Sequence, residues 1–125
     1  LEEGGQSKHH RPEAEERGLY AFLDYVGRHP HLYRVLQEAQ FVDESIYREY
    51  YRAFGASYVR LLARAQSRGE VRPRDSEVRV WALMGMVHML GMRFAVWDQD
   101  LPLEHVVSAA ADLLRNGLAP EEKDE

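Results

Sequence analysis

The stretch WALMGMVHMLGMRFAVW, residues 81–97, limits the possible folds more than any other part of the chain. Wound into a helix it is apolar on every side, because His88 is the only ionisable side chain between Trp81 and Arg93. A helix of a small soluble domain normally keeps one face in water. Its own domain can cover one stripe of such a helix fully and a second in part, so we expect a further surface to cover the rest.

Size and composition narrow the class of protein. The chain has 125 residues, of which 45% are hydrophobic and 30% charged, as in a single globular domain. Its net charge of −5 repels nucleic acid. The absence of cysteine excludes disulfides, thiolate metal sites and a cysteine nucleophile, and fits a cytoplasmic location. We expect no membrane span, because Arg79, His88 and Arg93 shorten the apolar stretch below the ~20 residues needed.

The apolar spacing predicts an all-α fold of five helices joined by short loops, without strands. Residues 1–12 are expected to be a disordered linker, residues 13–118 one domain, and residues 119–125 an acidic tail. Caps and helix breakers place the five helices as follows: from Pro12 to a stop at Gly27 and Pro30, from about Pro30 to Ala39, from the N-cap Asp43 to Gly69, from Asp75 or Ser76 to about Asp98, and from Pro102 to the C-cap Gly117.

A second copy of the chain is the natural cover for the apolar helix. The fifth helix carries three consecutive alanines, residues 109–111, which allow close helix packing. The fourth and fifth helices of two chains would then form a four-helix bundle with twofold symmetry. The alternative is that both helices form the core of a monomer. The predicted dimer interface consists of Leu83, Val87, Leu90, Phe94, Trp97, Val106, Ala110, Leu113 and Leu114.

Three segments, FLDYVGRHPHLYRVLQEAQFV, LLARAQSRGEVRPRD and LLRNGL, together with the apolar helix, resemble the C-terminal region of TetR-family transcriptional regulators. The resemblance covers roughly residues 14–118 and depends on the order and spacing of these pieces, not on a catalytic motif. It implies a domain that binds a small effector and dimerises. Operator DNA would be bound only through an N-terminal helix-turn-helix domain, which this chain lacks.

An aromatic stripe on the third helix predicts where an effector would bind. Tyr47, Tyr51, Phe54 and Tyr58 recur at helical spacing, and buried phenols suit a cavity with an apolar body and a few polar anchors. The alternative is an aromatic core whose hydroxyls reach the surface. The predicted ligand-binding residues are Tyr33, Phe41, Tyr47, Tyr51, Phe54, Tyr58, Met84, His88 and Met92, and the candidate contacts for an anionic group such as the phosphates of an acyl-CoA are Arg34, Arg48 and Arg52.

Catalysis is not expected. Glu38 and His31 have no nucleophile placed beside them, and no histidine pair has metal-ligand spacing. We therefore predict a non-enzyme without cofactor or metal: the effector-sensing, homodimeric domain of a TetR-family regulator, with a small apolar or acyl-CoA-like ligand. The alternative is a helical protein-interaction module without a small-molecule site.

Overall fold

The computed structural model describes residues 14–121, with side chains from residue 16 onward. It contains five α-helices and no strand within that range, which confirms the all-α prediction. Their bounds are Ala14–Arg28 (α1), Pro30–Val42 (α2), Glu44–Ser67 (α3), Ser76–Gly91 (α4) and Leu103–Asn116 (α5). The helix α4 continues directly into a π-helical segment, Met92–Trp97. The predicted linker 1–12, including the expected helix start at Pro12, and residues 122–125 of the predicted tail lie outside the described part.

Local caps fix the helix ends where the sequence predicts them. The side chain of Asp43 accepts a hydrogen bond from the backbone N–H of Ile46 at 3.3 Å, and Asp75 caps α4 in the same way. After α3 the backbone turns through Gly69, whose φ of +76° is a left-handed conformation that other residues rarely adopt. The helix α2 runs three residues past the predicted end at Ala39, because its ladder continues until Asp43 N–H bonds the Ala39 carbonyl at 2.8 Å.

The first helix lies at the centre of the fold. It packs against α2, α4, the π-helical segment and α5, while α3 packs on α2 and α4. Leu23 of α1 joins Val106 and Val107 of α5 in one buried cluster. Val26, one turn further along α1, joins a second cluster with Tyr33 and Ala95. The protomer's core is therefore built around α1 and not around a pairing of α4 with α5.

The apolar helix α4 is covered only in part. Val80 and Gly91 are buried within the protomer, and the side that carries Met84 faces α3. Val78 and Met89 remain 65% and 55% exposed. Together with Ala82 and Gly85 they form a stripe at helical spacing, which we call the outward face of α4. The protomer itself leaves this apolar face in solvent.

The predicted dimer-interface residues fall into three groups. Val106 and Ala110 are only 4% and 6% exposed, because α5 turns them toward α1, so they belong to the protomer's core and offer no surface to a partner. Leu90 and Phe94 are half-buried against that same core. The remaining members are the half-buried Leu83 and Val87 and the exposed Trp97, Leu113 and Leu114. The solvent-facing stripe of α4 thus runs through other positions than those predicted.

The π-helical segment carries an ion-pair cluster at its exposed end. Its widened turn is closed by Asp98 N–H, which donates to the Arg93 carbonyl at 3.2 Å. The Arg93 guanidinium contacts Asp100 at 3.2 Å and Asp98 at 4.0 Å, and lies 4.4 Å from the centre of the Phe94 ring. Arg93 is therefore held by acidic neighbours of its own loop.

The continuous helix Ser76–Trp97 is, by length and composition, long and apolar enough to cross a membrane. The expectation that charged residues shorten it below a span therefore does not hold for the helix as a whole. Only 17% of its most apolar window is buried inside the protomer. Core helices of soluble proteins meet the same criterion, so this property alone does not indicate a membrane protein.

Candidate functional site

An open cleft of about 500 Å³ lies between α3 and α4. Positions four apart lie on one helix face, so each helix contributes residues of a single face to the walls. The lining residues are Tyr47, Arg48, Tyr51 and Arg52 of α3 and Trp81, Met84, Gly85 and His88 of α4. The size is in the range of small-molecule sites.

Gly55 brings the two helices close together beside the cleft. It is buried, and a β-carbon at this position would lie 3.5 Å from the Trp81 ring and 3.6 Å from the Met84 sulfur. A longer side chain would therefore push α3 away from α4. The glycine lets Trp81 and Met84 pack against the α3 backbone while the residues one and two turns earlier diverge into the cleft.

His88 is held from behind by Tyr33. The Tyr33 hydroxyl lies 2.6 Å from the backbone carbonyl of His88 and 2.8 Å from its Nδ1, and the two rings are stacked with centroids 5.3 Å apart. A phenol has one proton, and the carbonyl can only accept. The hydroxyl therefore donates to the carbonyl, and Nδ1 must carry the proton that it donates to the phenolic oxygen.

This arrangement fixes the tautomer of a neutral His88. With the proton on Nδ1, Nε2 at the far side of the ring is a hydrogen-bond acceptor. No side chain or backbone group within residues 16–121 bonds to Nε2. Because His88 lines the cleft and Nδ1 is turned toward Tyr33, Nε2 is the ring nitrogen available to a molecule in the cleft.

Burial keeps the ionisable groups around the cleft uncharged. Desolvation raises the pKa of Tyr51 to about 12, with a further increase from the neighbouring phenols of Tyr47 and Tyr50. The pKa of Tyr33 is raised further still by the same cause. Burial lowers the pKa of His88 below its ordinary value of about 6.5, so the imidazole is neutral at pH 7.

The two arginines of the cleft differ in their partners. Arg48 donates to Glu44, one turn earlier on α3, at 3.2 Å. Arg52 has no acidic partner among the described residues, and it is exposed. None of the eight lining residues is acidic, although the chain as a whole carries a net charge of −5. The cleft is therefore a local cationic site on an acidic protein.

The structure brings together six of the twelve predicted contacts, namely Tyr47, Tyr51, Met84, His88, Arg48 and Arg52. Tyr33 lies directly behind them through its bond to His88. The other predicted contacts lie outside the cleft. Phe41, near the end of α2, is 83% exposed, and Arg34 is exposed on the same helix.

Three further predicted residues pack elsewhere for separate reasons. Phe54 is 46% exposed because the stripe on α3 turns gradually away from α4, and Tyr58 lies against Phe54 with ring centroids 6.3 Å apart. Met92 packs against the cluster of Val26, Tyr33 and Ala95, and its sulfur lies 2.9 Å from Gln37 Nε2. The aromatic stripe is therefore divided, with only its first half in the cleft.

Sequence reasoning missed Trp81 and Gly85 as lining residues. Both lie on the α4 stripe that carries His88, three and seven residues before it, so helical spacing from His88 was a usable indication. No group of three or more histidine or acidic side chains within the described residues could hold a metal ion.

The chain was also compared with known proteins. No model of a known protein family matches it, and no curated protein matches it significantly.

Proposed function

We propose that this chain is the effector-sensing and dimerisation domain of a TetR-family transcriptional regulator, with a small apolar or acyl-CoA-like ligand. The observation that carries the proposal is the cleft between α3 and α4, which combines aromatic and thioether walls with two arginines and one imidazole. An apolar body with a few convergent polar groups is the usual composition of a ligand site.

The outward face of α4 supports the dimerisation half of the proposal. Val78, Ala82, Gly85 and Met89 form an apolar stripe in solvent, and exposed apolar patches mark interaction sites. We expect Met89→Glu to convert a dimer into monomers in sedimentation experiments. Leu61→Glu, a matched change at an exposed leucine of α3, should leave the dimer intact. A wild-type protein that sediments as a monomer at high concentration would remove this half of the proposal.

The proposed mechanism is a shift between two arrangements of the helices. A ligand between α3 and α4 would favour one placement of α4, and α4 packs directly on α1. In the intact regulator α1 would pass this change to a helix-turn-helix domain that binds operator DNA. A difference of a few kcal/mol in ligand affinity between the two arrangements is enough for about 100-fold relief of DNA binding.

Ligand-dependent thermal stability tests the proposal. Apolar carboxylic acids and CoA thioesters should raise the melting temperature, since ligand at 100 times its Kd adds about 2.7 kcal/mol to the free energy of unfolding. Gly85→Leu should abolish this effect, because a side chain at Gly85 meets no neighbouring atom within 4 Å of its β-carbon and its residue lines the cleft. Gly18→Leu, at an equally open glycine of α1, should retain it.

The second candidate is a protein-interaction module without a small-molecule site. The corner between α2 and α3 favours it, because Phe41, Val42 and Ile46 are largely exposed there. This candidate predicts no stabilisation by any small molecule in the panel, and equal melting behaviour of Gly85→Leu and Gly18→Leu with or without ligands. The two functions are thus separated by the same experiment.

A further inference from the structure

The polar groups of the cleft define a ligand more narrowly than its apolar walls do. Arg48 is already paired with Glu44, whereas Arg52 has no acidic partner among the described residues. A cation without a partner, on a cleft without a carboxylate, attracts an anionic group. The anionic group would therefore be bound by Arg52, in an otherwise acidic protein whose other surfaces repel anions on average.

The imidazole adds a second requirement of opposite hydrogen-bonding sense. Tyr33 occupies Nδ1 and fixes the proton there, so Nε2 of His88 can only accept while the ring is neutral. A ligand carbonyl or carboxylate cannot bond to an acceptor. A hydroxyl or N–H can.

The volume adds a third requirement. A cleft of about 500 Å³ has room for roughly 17 water molecules at ~30 Å³ each. A complete coenzyme A ester, with its nucleotide and its pantetheine arm, is much larger than this. The rings of Tyr47, Tyr51 and Trp81 favour a flat apolar body that stacks on them.

We infer that the cleft selects a small aromatic carboxylate that also carries a hydroxyl group, with Arg52 binding the carboxylate and Nε2 of His88 accepting the hydroxyl proton. This inference rests on the proposed function, because it names the ligand class of the same cleft. His88 and Arg52 are then the residues that determine specificity, and Tyr33 positions His88.

Titration calorimetry with three matched probes tests the inference: para-hydroxyphenylpropanoate, phenylpropanoate, and the methyl ester of the hydroxylated acid. The hydroxylated acid should bind about tenfold more tightly than either analogue, since each analogue lacks one hydrogen bond to a half-buried or charged group. The CoA thioester of phenylpropanoate is included as a fourth probe. Tighter binding of this thioester than of the free acids would overturn the inference, because phosphates would then supply the anionic group.

Two variants assign the preferences to their residues. His88→Phe keeps a ring stacked on Tyr33 but removes Nε2, so it should abolish the preference for the hydroxyl and retain the preference for the acid over the ester. Arg52→Gln should do the reverse. Arg34→Gln removes the same charge from an exposed arginine outside the cleft and should change neither preference. A hydroxyl preference that survives in His88→Phe, or an acid preference that survives in Arg52→Gln, would overturn the inference.

Failure of this inference is distinguishable from failure of the proposed function. If the four probes bind equally, or none binds while other apolar ligands stabilise the protein and Gly85→Leu blocks them, the ligand class is wrong and the cleft remains a ligand site. If no ligand of either panel binds, both proposals fail.

Discussion

Tyr33→Phe is the most informative single change in the structure. It removes one oxygen atom, and with it the two contacts that hold His88: the bond to the His88 carbonyl at 2.6 Å and the bond from Nδ1 at 2.8 Å. The phenylalanine ring keeps its place between α2 and α4, because Tyr33 is buried and its ring packs against Ala95 and Val26. The change is therefore confined to hydrogen bonding.

The magnitude follows from what each lost bond leaves behind. The His88 carbonyl still accepts from the backbone N–H of Met92, so it is not left without a partner. Nδ1–H loses its only partner in a half-buried position. One unsatisfied donor and one redundant bond correspond to a loss of about 1–2 kcal/mol in the free energy of unfolding. For a domain of this size we expect a decrease of about 4–8 °C in melting temperature.

Chemical denaturation followed by circular dichroism at pH 7.5 measures this loss. Tyr25→Phe is the matched control, because Tyr25 is also stacked on a histidine, His29, with centroids 4.2 Å apart, but is 53% exposed. We expect that control to change the free energy of unfolding by less than about 0.5 kcal/mol. Nitrogen NMR should also find the proton of neutral His88 on Nδ1. Equal destabilisation by the two variants, or a proton on Nε2, would refute the account of the cleft's back wall.

Three further outcomes are expected from other parts of the molecule. Because burial lowers the pKa of His88, its contribution to stability is fully present above about pH 6.5 and is lost as the pH falls through the folded-state pKa; urea unfolding across pH should show this loss, and His88→Phe should remove it. Gly69→Ala, at a φ of +76°, should cost about 1–2 kcal/mol in thermal unfolding, whereas Gly18→Ala, in a helix and facing open space, should gain up to about 1 kcal/mol. Arg115→Gln should cost about 1–3 kcal/mol in urea unfolding, because Arg115 contacts the buried carboxylate of Glu16 at 3.3 Å.

Each of these outcomes has a result that contradicts it. An unchanged pH profile in His88→Phe would mean that His88 does not titrate differently in the folded protein. A neutral Gly69→Ala would mean that the turn after α3 adopts another backbone conformation. Arg48→Gln is the control for the buried ion pair, since its exposed contact with Glu44 is worth less than about 0.5 kcal/mol; an equal loss in Arg115→Gln and Arg48→Gln would contradict the difference in burial.

The helices were predictable because their signals are local. Asp43 and Asp75 lie within three residues of the N–H groups that they cap, and Gly69 lies directly after the helix that it ends. Such contacts form between neighbours in the chain, so they can be recognised without knowledge of the packing. The end of α2 was predicted three residues early, because no glycine or proline precedes Asp43.

Half of the cleft was predictable for a similar reason. Tyr47, Tyr51 and His88 each lie at helical spacing from other apolar residues, so their faces were recognisable. Which part of a stripe meets the neighbouring helix depends on the angle and the distance at which the two helices cross. Phe54 and Phe41 lie in solvent because α4 and α3 do not extend over them, and no local pattern contains that information.

The sequence alone determined that this protein is helical, where most of its helices end, and that α4 is apolar on all sides. Only the tertiary structure decided how those sides are used: one is buried against α1, one borders the cleft with α3, and one is left in solvent. It also placed Val106 and Ala110 in the core and not on the surface. The physical reason is that helix formation depends on contacts within one turn, whereas the partner of each face is set by contacts between residues far apart in the chain.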